Sequence, residues 1–130
     1  MTLEAFFRKL GAPLNNTLWS WGAISQDGTV YLRVWQDETK KIEGKLYVRV
    51  FLSGVHEDGN LGNNERINHL EMIGNGSKCF LIMCIVKDIN APKRLITRYI
   101  KNELFVGGSL MKLGDDIWIE IIDRVPVSTK

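Results

Sequence analysis

The hydrophobic pattern of this chain is set by three runs between residues 18 and 52. Leu18–Ser25, Thr29–Gln36 and Lys45–Leu52 are of strand length, and the second and third alternate strictly. In the second, Val30, Leu32 and Val34 alternate with Tyr31, Arg33 and Trp35. In the third, Leu46, Val48, Val50 and Leu52 alternate with Tyr47, Arg49 and Phe51. Successive side chains of a strand point to opposite faces. Each run therefore has an aliphatic face for the core and a second face that reads aromatic, arginine, aromatic. Asp27-Gly28 is a hairpin turn signal between the first two runs. Pairing of the second and third runs would set the two aromatic–arginine faces side by side. Trp19 and Trp21, which share a face of the first run, would extend them.

The flanking chain reads as follows. Leu3, Phe6, Phe7 and Leu10 fall at helical spacing, with Thr2 as a cap and Gly11 as a stop. The polar stretch Gln36–Gly44 is a solvated connection within a long hairpin. Ser53–Asn64 is a loop rich in Gly, Asn and Asp, and Ile67, Leu70 and Ile73 mark a short helix capped by Asn63 or Asn64 and stopped by Gly74 and Gly76. Cys79–Val86 is apolar without alternation, the pattern of a central strand buried on both faces. After Ala91-Pro92 the spacing of Leu95, Ile96, Tyr99 and Ile100 predicts a helix, although the β-branched Ile96, Thr97 and Ile100 also permit a strand. Leu104–Val106 and Leu110–Leu113 are strand pieces separated by Gly107-Gly108, a bulge or tight bend. Gly114-Asp115-Asp116 turns the chain into a last strand, Ile117–Asp123. Six or seven strands in hairpins with two or three short helices predict an α+β, mainly β fold. The expected form is a small, partly closed antiparallel β-barrel, with an open α+β sandwich as the alternative.

Composition narrows this little. At 130 residues the chain fits one domain, and a net charge of +2 does not by itself announce a polyanion partner. The two cysteines, Cys79 and Cys84, lie five positions apart on a predicted strand. They point to opposite faces, cannot bridge each other, and read as reduced core residues. The N-terminal stretch carries Glu4, Arg8 and Lys9 with no long apolar core, so no signal peptide is expected. No run approaches the roughly 20 apolar residues of a membrane span. The expectation is a cytoplasmic protein.

Candidate chemistry is sparse. His56 lies in a loop, His69 reads as a surface or half-buried helix residue, and neither sits with a nucleophile in a recognisable motif. Gly59-Asn60-Leu61-Gly62 lacks the lysine and the context of a phosphate loop. Without a Cys/His cluster no metal or cofactor is expected. The aromatic–arginine face has two readings. In one, helices cover it and the arginines lie over aromatic rings, snorkelling to water. Alternatively it is a stacking platform, with Trp19, Trp21, Trp35 and Tyr47 as walls for a base and Asp37 as a hydrogen-bond acceptor. Arg33 and Arg49 would then meet phosphates, joined by Lys93, Arg94, Arg98 and Lys101, which share a face if their segment is helical.

Trp19-Ser20-Trp21-Gly22-Ala23, the run Val30–Glu38 and Glu103–Gly108 resemble short bacterial domains associated with proteins that carry an HNH nuclease domain. The strand order and aromatic content are similar to the PUA-like β-barrels, including the EVE and SRA groups, which bind modified bases in DNA or RNA. The resemblance implies a reading domain without the cutting domain, since the chain has no HNH-type metal cluster. The expected function is a non-catalytic nucleic-acid-binding module of a restriction or modification system, with DNA or RNA as partner and a homodimer or a nuclease as a further one. Two other readings stay open. One is a small-ligand or enzyme domain using Asp37, Glu38 or His56 as acid–base groups. The other is an interaction or dimerisation module built on the same face.

Overall fold

The structure is a computed structural model that describes residues 2–16, 20–52, 61–91 and 95–127. Helix α1 (Leu3–Lys9) forms as the spacing predicts: Thr2 Oγ1 accepts the Ala5 N–H at 3.1 Å, and Phe6 and Phe7 are its buried residues. Eight strands follow. They are β1 (Gly22–Ile24), β2 (Val30–Trp35), β3 (Thr39–Ile42), β4 (Lys45–Phe51), β5 (Cys79–Val86), β6 (Ile96–Tyr99), β7 (Glu103–Leu113) and β8 (Asp116–Pro126). A short 3-10 turn, Gln36–Glu38, follows β2, and helix α2 (Leu61–Gly74) precedes β5. No helix among the described residues is long and apolar enough to cross a membrane.

The strands form one mixed sheet in the order β1-β2-β5-β7-β8-β4-β3, with β6 added to β5. The mainly β reading holds, but the sheet is neither purely antiparallel nor closed into a barrel: its path runs from β1 at one end to β3 at the other. β2 runs parallel to β5 over Val30↔Cys79 to Trp35↔Cys84. Nor do the second and third alternating runs pair. The edges of β2 are taken by β1 and β5, and those of β4 by β3 and β8. The reason is local: Glu43 (φ +50) and Gly44 (φ +81) make a two-residue turn that joins Ile42 to Lys45. Two positive φ values suit the turn that folds adjacent strands back on each other. The stretch read as a solvated connection is thus a 3-10 turn and the outer arm of this hairpin.

The sheet separates two cores. On one side Val30, Leu32 and Val34 of β2 meet Val48 and Val50 of β4, Leu70 and Ile73 of α2, and Cys79, Leu81 and Met83 of β5. On the other, α1 lays Phe6 and Phe7 on Tyr31, Ile82 and Cys84, with Trp35 and Tyr99 at the margin. β5 contributes to both, as its continuous apolar run predicts, and its two free cysteines are buried in different cores.

Two further expectations are corrected. The segment after Pro92 is a strand where residues 96–99 are concerned, not a helix. β7 covers only Cys79–Leu81 on its edge of β5, and β6 covers Cys84–Val86 on the same edge. Unsatisfied β5 backbone recruits the β-branched segment into the sheet. The second helix begins at Leu61, before the expected caps, and its buried stripe is displaced. Leu70 and Ile73 are buried, but Ile67 is 39% exposed while Arg66 and His69 are inside.

Candidate functional site

The most unusual local structure is where α2 meets the start of β1. Glu65 and Arg66, consecutive on the helix, hold the short stretch that carries Trp21. Glu65 Oε1 accepts the Trp21 N–H at 3.2 Å. Its Oε2 accepts the Ser20 hydroxyl at 2.9 Å and the Asn15 side-chain amide at 3.4 Å. Arg66 Nη2 donates to Trp21 O and Arg33 O, both at 2.9 Å, and Nη1 donates to Val50 O at 2.8 Å. One guanidinium thus joins the approach to β1, strand β2 and strand β4. Its carbon lies 5.9 Å from the Trp21 ring centroid.

The electrostatics of this region are positive. Burial pulls the Arg66 pKa down to about 10, with the Arg33 cation adding to the effect, so Arg66 remains charged at neutral pH. His69, one turn on, is pushed down to about 4 by burial and by Arg66, and is neutral. Its Nδ1 and the Arg66 Nε are buried without a hydrogen-bond partner among the described residues. The two atoms stand three residues apart on the buried face of α2. Gly22 is required beside them: a Cβ there would lie 2.6 Å from Tyr31 O and 3.2 Å from His69 Nδ1.

Arg33 is the second cation. It is half-buried on the α1 side of β2, between Tyr31 and Trp35 on its own strand, and opposite Ile82 of β5. Its backbone N–H donates to Trp21 O at 2.9 Å, which fixes Trp21 as its neighbour across the sheet. Burial lowers its pKa, and the opposing influence is the Cys84 thiol. That thiol is itself raised to about 12 by burial and carries no charge at neutral pH. No carboxylate pairs with the Arg33 guanidinium among the described residues.

The other predicted residues are distributed differently. Tyr31 is core, packed 5.5 Å from Phe80 under α1. Trp35 is half-buried at the margin of that core, and Asp37 is exposed on the 3-10 turn. Tyr47 is buried on β4, between Lys40 and Glu120 in register. Arg49 is neutralised: it pairs with Glu38 and lies 3.6 Å from Asp116, with its guanidinium 5.8 Å from the Trp118 ring. Arg98 is exposed on β6, and Lys101 is exposed just beyond it, so they do not share a helical face. Trp19, His56, Lys93 and Arg94 lie outside the described residues. The single platform expected from pairing β2 with β4 is therefore not formed. Trp21 and Arg33 are neighbours through a backbone hydrogen bond and Trp35 follows two residues on along β2, while Tyr47 and Arg49 stand on another strand.

Sequence reasoning missed Glu65, Arg66 and the burial of His69. A signal was present. Arg66, His69, Leu70 and Ile73 are spaced i, i+3, i+4 and i+7, the stripe of a buried helix face with two polar members. Elsewhere an open groove of about 530 Å³ is lined by Ile73, Gly108, Leu110, Glu120 and Ile122 among others, and by none of the candidate site residues. Compared with known proteins, the chain matches no protein-family model, no curated protein and no solved structure.

Proposed function

We propose that this chain is a non-catalytic nucleic-acid-binding module, with a site walled by Trp21 and Trp35 in which Arg33 meets a phosphate. The observation that carries this reading is Arg33: half-buried, without a carboxylate partner among the described residues, and flanked along β2 by Tyr31 and Trp35 with Trp21 bonded to its backbone. An unneutralised, partly buried cation is costly unless an anion completes it. Aromatic rings on either side favour an anion that carries a planar group. A nucleotide unit has both, and base–aromatic stacking contributes about 1–3 kcal/mol per base. Asp37, at the exposed end of the same strand, is the acceptor for a base edge, and a modified base is the ligand class we favour. The mainly β fold is compatible with this reading, and the Arg66 guanidinium ties β2 to β4, which no ladder joins. A reading domain of a restriction or modification system is the setting this implies.

The test is a tryptophan-fluorescence titration with single-stranded and duplex DNA and RNA, with and without modified bases, at low and moderate salt. Saturable quenching that weakens with salt is expected. Arg33→Gln should weaken binding and lower the magnitude of the log–log salt slope by about one. No response to any oligonucleotide at low salt would overturn the reading and favour a metabolite or a protein partner.

A further inference from the structure

We propose that Glu65 and Arg66 are the positioning residues of this site, clamping Trp21 by both hydrogen-bonding groups of its backbone so that its ring is presented at a fixed angle to the ligand. This rests on the reading that Trp21 is a wall of the nucleotide site.

The geometry leads to the clamp directly. β1 is only three residues long, and its ladder with β2 begins at Gly22. Trp21 stands just before the ladder, where a side chain is ordinarily free to swing with its backbone. Here its N–H is taken by Glu65 at 3.2 Å and its carbonyl by Arg66 at 2.9 Å. The same carbonyl accepts the Arg33 N–H, so the ring and the cation proposed to meet one ligand share one anchor point. Ser20, itself buried, adds a hydroxyl bond to the same carboxylate. Bonds to ionised groups are the stronger kind, and two carboxylate oxygens set direction as well as distance. Arg66 further ties Arg33 O and Val50 O together, which holds the strand bearing Arg33 at a set distance from β4 although no ladder joins them. A helix whose buried face carries an arginine where an aliphatic residue would pack is thereby explained: the cation organises backbone rather than filling space.

The experiment uses the full chain labelled with 5-fluorotryptophan, whose four tryptophans give four fluorine resonances assigned by single Trp→Phe substitutions. Glu65→Ala is expected to shift and broaden the Trp21 resonance and to weaken oligonucleotide binding about tenfold, while Trp118 on β8 keeps its position. Glu65→Gln keeps an acceptor oxygen and should restore the Trp21 resonance and bring affinity within about threefold of the original. If Glu65→Ala also disturbs Trp118, Glu65→Asp decides: one methylene shorter, it keeps the charge but withdraws the oxygens from Trp21, and only the Trp21 resonance and the affinity should change. An unchanged Trp21 resonance in Glu65→Asp and Glu65→Ala overturns the clamp. A chain that binds no oligonucleotide, yet whose Trp21 resonance moves in these variants, overturns the nucleic-acid reading and leaves the clamp standing.

Discussion

His69 shows how a single residue departs from its surface reading. It is 1% exposed, its Nδ1 has no hydrogen-bond partner among the described residues, and it faces the backbone at Gly22. Burial, reinforced by Arg66, lowers its pKa from 6.5 to about 4. The unfolded chain therefore takes up this proton first. His69 contributes stability that is fully present above about pH 6.5 and is lost as the pH falls through about 4. Thermal melts between pH 7 and pH 4 should fall more steeply for the natural chain than for His69→Leu, which has nothing to protonate at that position. Parallel slopes would show that His69 protonates freely in the folded state. The two cysteines follow the same physics with the opposite sign. Burial holds both thiols up at about 12, so neither supplies a thiolate nucleophile near neutral pH.

Among the elements, the β3–β4 hairpin decides most. Its turn places Glu43, with a side chain, at φ +50, followed by Gly44 at φ +81. A non-glycine residue in the left-handed region costs about 1 kcal/mol, and Asn bears that conformation better than Glu. Glu43→Asn should therefore stabilise the protein by up to about 1 kcal/mol, a rise of roughly 4 °C in Tm for a domain of this size. A lower Tm in a thermal melt would mean that Glu43 has a compensating role. The same turn explains why β4 does not pair with β2, and so why two similar alternating strands have different surroundings. α2 is the second decisive element. Its buried stripe carries Arg66 and His69 between the sheet and solvent-exposed Ile67, and Arg66 links the helix to three stretches of backbone.

For the whole molecule, the strand order sorts the arginines. A net charge of +2 offers little long-range attraction, so binding to a polyanion depends on where cations lack partners. Arg49 is held by Glu38 and Asp116 on the β4–β8 side, whereas Arg33 has no carboxylate among the described residues. The salt slope of oligonucleotide binding should therefore be insensitive to Arg49→Met and sensitive to Arg33→Gln. Equal effects of the two substitutions on that slope would mean that Arg49 leaves its carboxylates to meet phosphate.

Much of the fold follows from short-range rules legible in the chain alone. The Thr2 cap and the pair Phe6-Phe7 make α1, Asp27-Gly28 makes the first hairpin, and Gly107-Gly108 marks the register shift within β7. The continuous apolar run of β5 reports burial on both faces, because no side of a strand flanked by two cores can be polar. Other features depend on partners distant in sequence. Residues 96–99 satisfy helical and strand spacing alike, and the open edge of β5 makes them a strand. Tyr31 and Tyr47 have equivalent patterns; α1 packs over the first, whereas the second is buried on β4 between the register partners Lys40 and Glu120. Arg33 and Arg49 occupy the same place in the same motif, yet Glu38 and Asp116 reach only Arg49. Alternation assigns a side chain to a face of a strand, but the sheet order determines what lies over that face and which charges it meets.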